Sequence, residues 1–430
     1  MSVKESLKKI PGLRPAIVGC KNFVKDVRAM LPLLAERRVK RSGPIRVAFL
    51  CQYIPAWHKL APIYERMVAD PLFAPMLICV PSGIEDGKLV SGDGKNDTLD
   101  YFRSNGYTEA INALNDDGTW LELAPLGLSY IFYPRPYNYY MPADYHCEKV
   151  SRYCKICMIL YGMNTTEEVV STTLNREFFR YVACYFAELP YSKQYNEKVG
   201  VLAHRLGLQK SLYFGMPGVE AILAGKDNPA PAWDFSKNSF RAMWTPRWTT
   251  DLSMGGSNFF TYYQVLLDYA CENPDADLLF RPHPLAISHF LQTGKMTQQQ
   301  ADEFANQCAE LANVSLDTQK EYIGTMWNTD VLISDISGLI PEYFVTGKPL
   351  IFCASNMILT PEETTAKILQ VSYIVHNKQE LVDCLNNLKQ GIDPLKAARE
   401  KLSAELFRND LCNPSEKILQ YLVNNHRKEE

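Results

Sequence analysis

No stretch of the 430-residue chain approaches the ~18 uninterrupted apolar residues of a bilayer-spanning helix, and its N-terminus has no apolar signal region. These absences predict a cytoplasmic protein. A second CxxC is missing too. Only Cys154 and Cys157 have that spacing, in the strand-like run Cys154-Lys-Ile-Cys-Met-Ile-Leu160, where positions three apart face opposite sides of a sheet. The twelve cysteines are otherwise scattered, which predicts buried thiols and neither a disulfide framework nor a metal site. There is no repeat shorter than a domain and no low-complexity segment. With 47% hydrophobic and 22% charged residues, the chain is neither collagen, coiled coil nor wholly disordered, and its length suggests two or three domains.

What charge there is lies unevenly. Residues 1–42 hold eleven Lys/Arg against Glu5, Asp26 and Glu36, a balance of +8 within a net charge of −3, so the remainder carries −11. An acidic body argues against nucleic acid as a partner. From Lys21 to Arg38 the apolar residues Phe23, Val27, Met30, Leu31 and Leu34 recur at helical spacing with Lys/Arg between them. This basic amphipathic leader fits an anionic membrane surface, each cation adding ~1 kcal/mol near the headgroups. The alternative is a terminal helix packed on its own domain with a solvated basic face.

After Ser42-Gly43-Pro44 the pattern alternates between strand and helix. Expected strands are Ile45–Cys51, Met76–Val80, Tyr130–Tyr133, Ile156–Leu160, Ala183–Glu188 and Ser211–Phe214, with helices at 56–69 and Thr98–Asn105 and a loop over 81–96. Residues 226–238 carry two prolines and no periodicity and read as a linker. A second series follows: strands Arg241–Thr245, Asp277–Phe280, Val331–Ile333, Pro349–Cys353 and Tyr373–Val375, with helices at 258–271, across 285–312, at 338–346 and to about 427. The expected organisation is a helical leader (1–42), a doubly wound α/β acceptor domain (43–225), a linker (226–238) and a doubly wound nucleotide-donor domain (239–430), facing a ligand crevice.

Four segments of the second series are expected at the carboxyl ends of strands, where a doubly wound sheet places function: Trp244-Thr-Pro-Arg-Trp248, Phe280-Arg-Pro-His-Pro284, Leu332-Ile-Ser-Asp-Ile-Ser-Gly-Leu339 and Thr346-Gly-Lys-Pro349. The third runs into a helix, whose free N–H groups with the Ser334 and Ser337 hydroxyls can hold a phosphate without metal. Arg247, Arg281 and His283 add positive donors suited to a diphosphate. Asp335, if ionised, cannot face phosphate and is expected to orient a neighbouring group. Each feature also has a plain reading, as an N-cap, a rigid turn or a surface ion pair; their co-location points to an anion site.

In this order the segments resemble the teichoic-acid-type CDP-glycerol glycerophosphotransferases, most closely over about residues 240–355 and more loosely before them. The resemblance implies a GT-B fold, peripheral membrane association on the inner face, and donor-diphosphate contacts at Arg281, His283, Ser334, Asp335 and Ser337; the expected donor contacts further include Thr245, Arg247, Gly338 and Glu342, and no cofactor is expected. It also implies transfer of glycerol phosphate or another alditol phosphate from a CDP-activated donor to a polymer or lipid-linked acceptor, in capsule or cell-wall polymer synthesis. Tyr161-Gly162 stands where many members have Trp-His-Gly, and Phe214-Gly-Met-Pro-Gly218 resembles their Gly-Tyr-Pro turn. Tyr161 is a poor base at neutral pH, its ordinary pKa being ~10, so the expected catalytic groups are His58, in Ala56-Trp-His-Lys59, together with Tyr161 and His283. The stretch Tyr133-Pro-Arg-Pro-Tyr-Asn-Tyr-Tyr140 either lines an acceptor groove or packs as a rigid loop. Two other functions fit: a GT-B glycosyltransferase or UDP-sugar 2-epimerase-like enzyme, and a non-catalytic nucleotide-binding partner.

Overall fold

The computed structural model describes residues 13–90, 96–354, 358–408 and 413–427. The chain divides into two compact units, one of Met1–Leu160, Leu174–Tyr213 and Glu416–Glu430, the other of Tyr161–Thr173 and Phe214–Ser415. Each is built on one parallel sheet.

The first unit contains β1 (Ile45–Cys51), β2 (Phe73–Cys79), a small hairpin of β3 (Ile84–Glu85) and β4 (Lys88–Leu89), β5 (Ile111–Asn112), β6 (Tyr130–Tyr133), β7 (Lys155–Met158), β8 (Val182–Phe186) and β9 (Lys210–Leu212). Its seven-stranded sheet has the order β5-β2-β1-β6-β7-β8-β9. β1, β6, β7 and β8 are buried along almost their whole length, which is why they read as continuous apolar runs. The second unit contains β10 (Phe240–Thr245), β11 (Ala276–Phe280), β12 (Val314–Leu316), β13 (Val331–Ser334), β14 (Leu350–Cys353) and β15 (Tyr373–Val375), in the order β12-β11-β10-β13-β14-β15.

The expected domain boundaries shift in three places. Residues 226–238 are no free linker. Trp233 is buried and donates through Nε1 to the Thr325 carbonyl (3.1 Å), while Asp277 gathers Ser236 Oγ (2.6 Å) and the amides of Lys237 and Asn238 (3.1 and 2.9 Å). The segment forms only short 3₁₀ turns such as Pro231–Trp233, but one tryptophan and one buried carboxylate are enough to seat it on the second unit. Residues 161–173 also join that unit, with the Glu167 amide donating to Thr360 (3.0 Å) and the Glu362 amide to Thr165 (3.0 Å). The final helix, Pro414–Arg427, returns to the first unit from Glu416 onward. There Tyr130 Oη donates to the Leu422 carbonyl (3.1 Å) and Tyr421 packs edge-on against Phe186.

Residues 1–12 of the basic leader, with Lys4, Lys8 and Lys9, lie outside the described residues. The helix Leu13–Glu36 packs on the first unit through Ala29, Met30 and Leu33, the last two against Leu208. Asp26 takes the guanidinium of Arg180 (Nε, 2.7 Å) and that of Arg176. The expected apolar stripe therefore splits. Met30 is inward, whereas Phe23, Val24, Val27, Leu31 and Leu34 are exposed, between 42 and 65%.

Candidate functional site

In the second sheet the strand order runs outward in opposite directions from the β10/β13 pair. Beyond the carboxyl ends of strands at such a switch point lies the ligand crevice of an open α/β sheet. β10 delivers Thr245-Pro-Arg247, its neighbour β13 delivers Ser334-Asp-Ile-Ser-Gly338, and β11 on the other flank delivers Arg281-Pro-His283.

Asp335 organises the site. Its carboxyl group is fully buried and accepts from the Arg247 amide (2.8 Å), the Asn258 amide (3.1 Å) and Asn258 Nδ2 (2.7 Å). Burial pushes its pKa up, and these donors only partly offset that rise. Arg247 turns back across the same segment, with Nη1 donating to the Ile336 carbonyl (2.6 Å). The His283 amide reaches the Pro246 carbonyl (3.4 Å). Three strand ends are thus tied by direct hydrogen bonds, and Asp335 holds backbone in place as its chemistry required.

The His283 side chain has one face in solvent, while the partly buried ring lies near the Arg247 cation; desolvation and that charge hold its pKa down, to about 4. The imidazole is therefore neutral at pH 7. Its Nδ1 accepts from the Leu285 amide (3.2 Å), which leaves the proton on Nε2. His283 is a neutral donor here, where the sequence suggested a cation.

Other expected contacts fall elsewhere. Thr245 Oγ1 donates to Ser334 Oγ (2.9 Å), which donates in turn to the Asp335 carbonyl (2.7 Å), and both residues are buried. These hydroxyls tie β10 to β13 and offer nothing outward. Arg281 pairs with the buried Asp317, donates to the Gln319 carbonyl (2.7 Å) and sits 5.3 Å above the Tyr322 ring. Tyr322 donates to Glu342 (2.6 Å), itself buried. Arg281 and Glu342 are thus joined through one tyrosine. The helix after the serines covers only Leu339–Phe344, too short for a substantial dipole, and Ser337 Oγ already accepts from the Leu339 amide (3.2 Å). Lys348 precedes β14 and so lies at the opposite, amino-terminal ends of the strands, where Nζ donates to the Thr329 carbonyl (2.9 Å).

The Tyr161-Gly162-Met163 segment does meet the site. A Cβ at Gly338 would lie 3.0 Å from the Met163 carbonyl oxygen, so a larger residue would need this backbone to give by a few tenths of an ångström. A loop that sequence reasoning missed, Thr249–Asn258, closes the other side. Gly255, at φ +102°, would place a Cβ 2.7 Å from Ile336 and 2.8 Å from Arg247 Nε, a buried N–H with no partner among the described residues. The pair Gly255-Gly256 just before an aromatic helix was the available signal.

His58 lies in the first unit, in the 3₁₀ turn Ile54–Lys59 after β1. Its Nε2 is 3.0 Å from Lys59 Nζ, and burial together with that ammonium holds its pKa well below the ordinary value. A lone pair already facing an ammonium is poorly placed to take a proton. The aromatic stretch after β6 is a packed loop: Arg135 stacks between Tyr53 (4.6 Å) and Tyr140 (3.7 Å) and donates to Gln52 (2.5 Å).

No protein-family model matches the chain, and no curated protein does. Among solved structures, the UDP-GlcNAc 2-epimerase of Neisseria meningitidis bound to UDP-GlcNAc is similar over 89% of this chain and 100% of that one, with a TM-score of 0.56 at 15% identity. The S. aureus MnaA–UDP co-structure is similar over 88% and 97%, with a TM-score of 0.56 at 12% identity. The wall teichoic acid polymerase TagF, soaked with CDPG, is similar over 97% and 98%, with a TM-score of 0.53 at 14% identity. At such identities the likeness is one of architecture, and it agrees with the two doubly wound parallel sheets: the chain has the GT-B fold.

Proposed function

We propose that this chain transfers an alditol phosphate, glycerol phosphate or one like it, from a CDP-activated donor to an acceptor hydroxyl in the synthesis of a cell-surface polymer or capsule. The acceptor oxygen bonds to the phosphorus bearing the alditol, the bond from that phosphorus to the CMP oxygen breaks, and the acceptor proton leaves to a base or to water. CMP is released carrying the charge that builds during cleavage, so the site must supply donors where that charge grows. One observation carries the reading: Asp335 and the Ile336 carbonyl fix Arg247 across the switch point, on the segment whose neighbour His283 bears an Nε2 proton. A fixed cation beside a neutral donor suits a diphosphate. The likeness to TagF over nearly all of both chains supports the CDP-alditol class. The reading assigns no cofactor, and it places a polymer or lipid-linked acceptor at a membrane inner face touched by the exposed stripe of the leader helix. None of the described helices is long and apolar enough to cross a membrane.

A second reading, a UDP-sugar 2-epimerase-like enzyme, is favoured by the slightly higher TM-scores of the epimerases. Thermal stabilisation by ligand separates the two. The transferase reading expects CDP-glycerol to raise the melting temperature, CMP to appear when acceptor is added, and Arg247→Ala to lose both. Stabilisation by UDP-GlcNAc alone would install the epimerase reading. Stabilisation by CDP-glycerol with no CMP under any acceptor would make the chain a non-catalytic partner.

A further inference from the structure

A cavity of about 430 Å³ lies in the first unit between the leader helix, residues 174–180 and the helices that follow β8, and none of the donor-site residues lines it. Its size is within the range of small-molecule pockets. Phe23, Met30, Leu174, Phe179, Val199 and Leu202 make its walls predominantly apolar, and an apolar cavity takes an apolar guest in preference to water. Its charged lining is Arg176, Arg180 and Lys198 against the single carboxylate of Asp26, which both arginines already engage. An apolar interior with surplus cations is the complement of an acidic head on a hydrocarbon chain.

The surroundings say where such a guest comes from. Phe23 lines the cavity and is also 59% exposed, so the rim runs directly into the outward stripe of Val24, Val27, Leu31 and Leu34. On helical geometry Lys21 and Arg28 flank that stripe on the side away from the cavity. A helix with one face packed, one apolar face exposed and a basic edge has the layout of an interfacial helix. The geometry points to a lipid site: the cavity receives one hydrocarbon chain of an acidic membrane lipid, its head near Arg176 and Lys198, while the outward stripe lies in the bilayer interface.

The test uses the full chain and cis-parinaric acid, an acidic eighteen-carbon polyene that fluoresces in apolar surroundings. Saturable one-to-one emission is expected. Leu202→Trp and Ala203→Phe each fill the cavity from neighbouring positions and are expected to weaken binding at least about tenfold. Leu31→Glu, on the outward face, is expected to leave parinaric affinity within about twofold while abolishing sedimentation with phosphatidylglycerol vesicles. Those vesicles are expected to displace the probe from the wild type, and phosphatidylcholine vesicles to do so poorly. Absence of saturable emission, wild-type affinity in both filled variants, loss of affinity in Leu31→Glu, or equal displacement by both vesicles would overturn the site. Stabilisation by CDP-glycerol in the same variants reports on the donor reading alone, so either idea can fail without the other.

Discussion

Replacing Gly255 by alanine probes how closely the Thr249–Asn258 loop is seated on the site. Two penalties add at this position. The backbone sits at φ +102°, a region L-residues rarely adopt, which costs about 1–3 kcal/mol. The new methyl would also approach Ile336 to 2.7 Å and Arg247 Nε to 2.8 Å, and relieving such overpacking costs about 1–3 kcal/mol more. A total of roughly 2–6 kcal/mol, at about 2–4 °C per kcal/mol for a unit of this size, lowers its melting temperature by on the order of 4–24 °C. Relief moves Arg247, so stabilisation by CDP-glycerol shrinks as well. Two other glycines calibrate the measurement. Gly294, at φ +66° with nothing within 4 Å of a Cβ, carries only the conformational cost of about 1–2 kcal/mol as alanine. Gly19, inside the leader helix with open space around it, gains about 0.5–1 kcal/mol as alanine. Calorimetry on the three variants, with and without CDP-glycerol, reads all of this. Should Gly255→Ala melt together with Gly294→Ala, the close seating of the loop on Arg247 is wrong.

Four further outcomes rest on groups described above. The folded His283 takes no proton until the pH nears about 4, whereas the unfolded chain takes one near ~6.5, so its contribution to stability is complete above ~6.5 and lost as the pH falls toward 4; melting temperature against pH should flatten over that window in His283→Gln. A bound diphosphate raises the same pKa, so CDP-glycerol affinity measured by calorimetry tightens from pH 7 to pH 5 in the wild type and stays flat in His283→Gln. In Asp26→Ala the guanidinium of Arg180, only 4% exposed, loses its carboxylate, and urea denaturation should show a loss of about 3 kcal/mol; a loss below ~1 kcal/mol would mean that Asn22 and Glu177 suffice. His58→Ala should keep CMP release within about threefold, because its lone pair faces Lys59; a fall of more than about a hundredfold would return the base to His58.

The sheets were legible because parallel strands buried on both faces leave uninterrupted apolar runs, as at Ile45–Cys51 and Leu350–Cys353. The switch-point segments were legible because Arg247, His283 and Asp335 interrupt such runs at their ends. Periodicity could not show where the hydroxyls point. Ser334 is the last residue of its strand, and the pleat turns its Oγ inward onto Thr245. It could not show pairing either, and so overcounted cations, since Arg281 is committed to Asp317 from far along the chain. The hairpin Ile84–Leu89 and the strands Ile111–Asn112 and Val314–Leu316 are too short to leave a period. Nor does amphipathicity name a helix's partner sheet, which is why the last helix was assigned to the wrong unit.

That last helix sets an order for the birth of the protein. The first unit leaves its own stretch of chain at Tyr213 and recovers its closing element only at Glu416. At ribosomal speed the roughly 200 intervening residues take on the order of 10–40 s. Through that interval Tyr130 and Phe186 wait without Leu422 and Tyr421, and at its end every residue of the second unit has been synthesised. The half begun first is therefore finished last, and a nascent chain stalled short of residue 416 offers cellular quality control an uncovered aromatic face.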